Sequence, residues 1–197
     1  MTRGPPRSTL SPAAALERPP AATAQIRGAR PRPSARGGIA LPGSLELAYR
    51  ACLWSRTASR VLLALAEFPA GDAAGLYDGV HAFPWEEHLA PDGTLSVEFT
   101  GGGPGIDHSH YGAQRVKDAI VDRFRARGGQ RPSVDPRRPD VRIHVRWRDA
   151  RVAVYLDLSG DSLHRRGYRE AAGIAPLKET LAAALLLKCG WPAIAIC

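Results

Sequence analysis

Six residues, His164-Arg165-Arg166-Gly167-Tyr168-Arg169, set three guanidiniums and an imidazole around one aromatic ring. A guanidinium is a flat fork that grips phosphate through two hydrogen bonds and stacks on bases, and a tyrosine ring stacks too. Residues of those types at that density suit recognition of a nucleic-acid backbone with unstacked bases. The bland reading is a solvated basic loop, and pattern alone does not choose between the two. A second array lies upstream, where Val141, Ile143, Val145 and Trp147 alternate with Arg142, His144, Arg146 and Arg148. In an extended strand the four basic residues share one face, with alternate residues about 6.6–6.8 Å apart. That is close to the separation of successive phosphates along one nucleic-acid strand, so an RNA backbone can track it. An exposed sheet face is polar in any case. The lack of a compensating acid among these four positions is what favours RNA.

Other constellations carry less chemistry. Thr100–Gly105, TGGGPG, lies between a predicted strand and a predicted helix, where glycines can cradle phosphate. It lacks the lysine of G-x-x-x-x-G-K-[ST] and does not fit G-x-G-x-x-G, so a flexible connector is the better reading. A nucleotide-binding protein using Gly101–Gly105 stays open as an alternative. His108 and His110 form an H-x-H pair without Cys or His partners at ligand spacing. Ser159 stands in L-S-G-D rather than G-x-S-x-G, and no histidine is paired in sequence with an acid or nucleophile. The sequence therefore offers no catalytic, cofactor-binding or metal-ligating set.

These residues must be positioned by strands and helices that the pattern predicts. Gly37–Leu41 suits a short strand, and Ser44 caps a helix to about Ser59 whose spacing groups Leu45, Ala48, Cys52, Leu53 and Arg56, with Trp54 near its end. Arg60–Ala66 is an apolar run suited to a buried strand. Asp72–Leu89 reads as helix and loop. Thr94–Thr100 alternates, with Leu95, Val97 and Phe99 on one face. A helix from Ser109 to about Arg127 carries the stripe Ala113, Val116, Ile120 and Phe124 and stops at Gly128-Gly129. Among its charges, Lys117/Asp118 and Asp122/Arg125 read as a solvated face, while Arg123, Arg127 and Arg131 are placed to extend a positive rim. Val141–Arg148, a tight Asp149-Ala150 turn and Arg151–Leu158 predict a β-hairpin. After a turn at Ser159-Gly160-Asp161, Pro176 precedes a predicted helix over Leu177–Lys188, with Gly190 as its stop.

Composition narrows the classes. The formal charge is +8, but residues 1–36 hold seven arginines against one glutamate, so +6 lies there and only +2 beyond. An RNA footprint on the folded part must therefore be a local patch. Those 36 residues also hold seven prolines and no aromatic residue, which predicts a disordered tail. No run of about eighteen apolar residues exists to span a membrane. Cys52, Cys189 and Cys197 are far apart and odd in number, which argues against a disulfide framework or zinc site and for a reducing, cytoplasmic setting.

LSGDSLHRRGYR followed by APLKETLAAALL resembles the RlmL-type 23S rRNA guanine-N2 methyltransferase family, and the likeness extends through SHYGAQRVKDAIVDRFRARGG, PDVRIHVRW and LAYRACLWSRTASRVLL. The resemblance covers about Gly37 to Trp191. It implies an α+β fold: a partial ferredoxin-like unit at 37–68, a THUMP RNA-binding domain with a mixed sheet and flanking helices at 69–159, and from 160 to 197 a linker and the first helix of a Rossmann-like methyltransferase domain. The family's D-P-x-C-G-S-G loop and N/D-P-P-Y/F tetrapeptide occur nowhere in this sequence. The expectation is thus a substrate-recognition region that binds large-subunit 23S rRNA, truncated ahead of the catalytic domain. S-adenosylmethionine is implied only for that domain. The expected RNA contacts are Arg142, Arg146, His164, Arg165, Arg166, Tyr168, Arg169 and Lys178. The alternative is an inert fragment with an open sheet edge, for want of the strand–helix–strand that the family carries ahead of Gly37.

Overall fold

The computed structural model describes residues 38–41, 43–167, 169 and 176–191, and the backbone strands at 7–12 and 32–34. The chain divides into two compact units, Met1–Leu63 with Leu158–Cys197, and Ala64–Asp157.

In the first unit, β1 (Arg7–Pro12) and β2 (Arg32–Ser34) both pair antiparallel with β3 (Gly38–Leu41), with Thr9 opposite Ala40 and Pro33 opposite Ile39. This corrects the expectation of a disordered tail for those two segments; the rest of 1–36 lies outside the described residues. A ladder is built from backbone groups, so a strand can form against a neighbour without any side-chain alternation to announce it. The edges of β3 are consequently both paired, and the outer strand of the sheet on this side is β2. Helix α1 (Leu45–Trp54) starts at Ser44, whose hydroxyl accepts from Leu47 N at 3.4 Å. It ends earlier than the pattern suggested. Ser55 is extended, and its Oγ accepts from Ala58 N at 3.0 Å, turning the chain into β4 (Ala58–Pro69).

The buried face of α1 is small. Ala48 and Ala51 pack with Ile39, Leu41 and Val61, and Cys52, Leu158 and Leu163 close the cluster. The predicted stripe residues Leu45 and Leu53 are instead exposed. Helix α4 (Glu179–Lys188) follows Lys178 as its cap residue and stops at Gly190, which has φ 70°.

The second unit contains the end of β4, then α2 (Ala73–Ala82), a 3-10 turn at Trp85–Glu87, β5 (Thr94–Gly101), α3 (Ser109–Gly128), β6 (Ser133–Val134), β7 (Val141–Arg148) and β8 (Arg151–Asp157). Its strands lie in the order β4-β8-β7-β5-β6; β5 is parallel to β7 and β6, and β7 is antiparallel to β8. The Asp149-Ala150 turn has φ 51° and 57°, the left-handed pair that joins a two-residue hairpin. Ile143, Val145 and Trp147 of β7 meet Leu95 and Phe99 of β5 and Val116, Ile120 and Phe124 of α3 in one apolar core. Gly112 lets α3 approach β5, because a Cβ there would lie 2.5 Å from Phe99.

Candidate nucleic-acid interface

The outward face of β7 holds Arg142, His144, Arg146 and Arg148, as the alternation predicted. Its neighbours change its electrostatics. Register places Ser96, Glu98 and Thr100 of β5 beside Arg142, His144 and Arg146, and Tyr155, Ala153 and Arg151 of β8 beside His144, Arg146 and Arg148. His144 lies between two carboxylates: Nδ1 is 2.9 Å from Glu98 Oε2 and Nε2 is 3.3 Å from Asp157 Oδ2. Burial works against a charged ring, but the hydrogen bonds to Asp157 and Glu98 outweigh it and raise the imidazole pKa above 6.5. The face therefore does carry compensating acids, a correction to the single-strand reading. They come from β5 and β8 rather than from β7.

The remaining cations differ in availability. Arg148 lies 3.5 Å from Asp149, and Arg151 donates to Glu67 at 2.8 Å. Arg142 is half-buried, with its Nε enclosed and lacking a partner among the described residues. Arg146 is exposed and makes no ion pair among the described residues. It is the open positive position of this face.

The anticipated rim along α3 is mostly engaged. Arg123 clamps Glu86 with Nε and Nη2, both at 2.8 Å, and donates to the His81 carbonyl at 2.8 Å. Arg127 reaches the same carboxylate. The hydrogen bond from Arg123 leads the causes that pull Glu86 down to about 2. This set ties α2, the 3-10 turn and α3 together, so two of the three rim arginines are anchored; Arg131 stays exposed. Lys117 pairs with Asp118 and Arg125 with Asp122, as a solvated helix face would. Tyr111 of the same motif is exposed.

The Gly101–Gly105 loop has a packing explanation. A Cβ on Gly101 would sit 1.9 Å from the Trp147 carbonyl oxygen, and one on Gly103 would sit 2.4 Å from the Trp147 ring. Gly102 N donates to that same carbonyl at 3.3 Å. The glycines let the loop close over Trp147.

In the first unit the basic run does two jobs. Arg166 donates to the carbonyls of Leu163 (3.0 Å), Leu53 (3.2 Å) and Ser55 (2.8 Å), so its fork closes the C-terminal end of α1. Arg169 donates to the Leu177 carbonyl at 2.5 Å and pairs with Glu179 at 2.9 Å, at the start of α4. His164 Nδ1 lies 2.8 Å from Ser162 Oγ. Arg165 and Lys178 are exposed and without ion pairs among the described residues. Tyr168 lies outside the described residues. A cue that density alone does not supply sits nearby: Trp54 is 73% exposed, two residues ahead of Arg56.

The fold and the spacing of these features find close counterparts. A family model for the THUMP domain matches residues 70–157, and one for the RlmL ferredoxin-like domain matches residues 14–62. The class is therefore a ferredoxin-like domain joined to a THUMP domain. The ribosomal RNA large subunit methyltransferase K/L of Pseudomonas aeruginosa is 60% identical over 153 residues, which is 78% of this chain and 21% of that protein. The protein of the same name from Stutzerimonas stutzeri is 59% identical over the same shares. Among solved structures, a predicted N6-adenine-specific DNA methylase from Listeria monocytogenes matches with a TM-score of 0.79 at 30% identity, over 94% of this chain and 48% of that one. Across these two domains the chain carries a THUMP domain and an RlmL-type ferredoxin-like domain and is similar to those methyltransferases, and it spans about a fifth of the length of the curated relatives it matches. The ferredoxin-like match begins at residue 14, ahead of the boundary expected at 37.

Proposed function

We propose that this chain recognises structured RNA, and that its role is substrate recognition for a large-subunit 23S rRNA guanine-N2 methyltransferase in the cytoplasm. The observation that carries this reading is the THUMP domain over 70–157, in a chain whose relatives are named as large-subunit rRNA methyltransferases. The open cation of that domain's sheet is Arg146, supported by Arg142; Arg165, Lys178 and His164 supply further contacts, and Tyr168 a stacking ring. Arg166 and Arg169 contribute by holding the end of α1 and the start of α4; Arg169 is met by Glu179, whereas Arg166 has no acidic partner among the described residues. Methyl transfer from S-adenosylmethionine is assigned to the parts of such an enzyme that this chain does not match. Among the described residues no helix is long and apolar enough to cross a membrane.

The test is anisotropy of a labelled 23S rRNA stem-loop titrated with the full chain at several salt concentrations. The expected result is binding whose log affinity falls linearly with log salt, by about 0.7–0.9 for each phosphate neutralised. Absence of binding at low salt, or binding indifferent to salt, would refute the reading. Methylation of rRNA by the 197-residue chain would refute its restriction to recognition.

A further inference from the structure

The first unit contains an open groove of about 380 Å³, lined by Leu53, Trp54 and Arg56 from the end of α1 and beyond, by Leu163 and Arg166, and by the first turns of α4. Three observations favour a ligand there. The indole of Trp54 is 73% exposed and Leu53 beside it is 68% exposed, so two large apolar groups face solvent at one helix end. Isolated exposed leucines are ordinary, but an exposed indole on the wall of a groove is a flat stacking surface. Positive charge lies around it: Arg56 makes no ion pair among the described residues, and Arg166 is pinned in place by three carbonyls without a counter-ion. The acid on the lining, Glu179, is paired with Arg169 at 2.9 Å. Finally, the N-terminal turn of α4 reaches the groove through Glu179 and Thr180, and a helix begins with its positive end.

We propose that this groove is a subsite for one unstacked nucleotide of single-stranded RNA, with the base on Trp54 and its phosphate beside Arg56. A flat indole with guanidiniums beside it is the combination that holds unpaired bases without reading their sequence. An apolar protein partner would have no use for the unpaired arginine at the rim. The subsite rests on the RNA-binding reading above and deepens it. It divides the labour between a phosphate-tracking sheet face in the THUMP unit and a base-stacking groove in the ferredoxin-like unit.

The test compares the full chain with Trp54→Ala, Trp54→Phe and Arg56→Gln, using a short single-stranded RNA and the same sequence annealed as a duplex. Trp54→Ala should weaken single-strand binding roughly 5- to 150-fold, the loss expected for one stacked base, and leave duplex binding unchanged. Trp54→Phe should recover most of the affinity, and Arg56→Gln should lower the salt dependence. Tryptophan fluorescence should be quenched by the single strand in the wild type and much less in Trp54→Phe. Wild-type binding together with unchanged single-strand affinity in Trp54→Ala overturns the subsite while the RNA-binding reading stands. A loss of self-association in Trp54→Ala with RNA affinity intact also overturns it and makes the patch a protein interface. No binding of either RNA by the wild type overturns the RNA-binding reading itself, and the subsite with it.

Discussion

The two units place their tryptophans in opposite settings. In Ala64–Asp157, Trp85 is fully buried, with its Nε1 donating to the Val80 carbonyl at 2.8 Å, and Trp147 is 1% exposed beneath the glycine loop. In the other unit the core is made of Ile39, Leu41, Val61 and two alanines, and Trp54 stands outside it. Cations divide less cleanly: His144 and Arg123 of the THUMP unit meet carboxylates while Arg146 makes no ion pair among the described residues, and in the other unit Arg169 meets Glu179 while Arg166 meets main-chain carbonyls. The contrast teaches that a residue type suggests a chemistry but its surroundings decide whether that chemistry is available.

The sharpest way to break the comparison is to shorten one tryptophan from each unit. Trp147→Ala should cost about 3–5 kcal/mol, as expected for emptying a packed aromatic site, read by urea denaturation. Trp54→Ala should change stability by less than about 0.5 kcal/mol, as an exposed surface change does. Equal losses would dissolve the distinction between a structural and an available indole.

Next in size is the arginine pair. Arg166→Ala removes three charge-assisted donors from the end of α1 and should cost about 1–2 kcal/mol, read by thermal melting and by faster amide exchange in α1. Arg146→Ala should leave melting unchanged, weaken RNA binding several-fold and reduce the salt slope by about one contact. A melting shift in Arg146→Ala without loss of affinity would reverse the roles assigned to the two residues.

A smaller, pH-dependent effect belongs to His144. Its pKa is raised in the folded state, so its stabilisation is fully present below the unfolded value of about 6.5 and is lost as pH rises through the folded pKa. The stability difference between the wild type and His144→Gln should therefore be largest in mildly acidic solution and shrink toward alkaline pH. A difference that grows with pH would mean that the ring is neutral between its two carboxylates. Glu86 works in the other direction. Its pKa is lowered to about 2, so the stabilisation from its clamp with Arg123 is present above the normal carboxylate range and fades only as pH falls toward that value. Arg123→Ala should reduce this acid-range dependence and leave the smaller part due to Arg127.

Local patterns carried most of the second unit. The α3 stripe, the alternation of β7 and the Asp149-Ala150 turn each depend on residues close in sequence, so period and turn chemistry were enough to place them. Less was readable where partners are distant. Glu98 and Asp157 flank His144 from separate strands, and their meeting is set by strand register. Likewise, β1 and β2 pair with β3 through backbone groups, which leave no mark in side-chain periodicity.

By itself, the sequence determined the family resemblance, the order of most elements and the inventory of cations and rings, because these depend on residue identity and short-range spacing. Only the tertiary structure decided which members of that inventory are open. It tied Arg123 and Arg127 to Glu86, turned Arg166 onto the end of α1, set His144 between two acids, and left Arg146 and Trp54 at the surface. The physical reason is that hydrogen bonds, ion pairs and burial are settled by neighbours in space, and strand pairing and helix docking choose those neighbours.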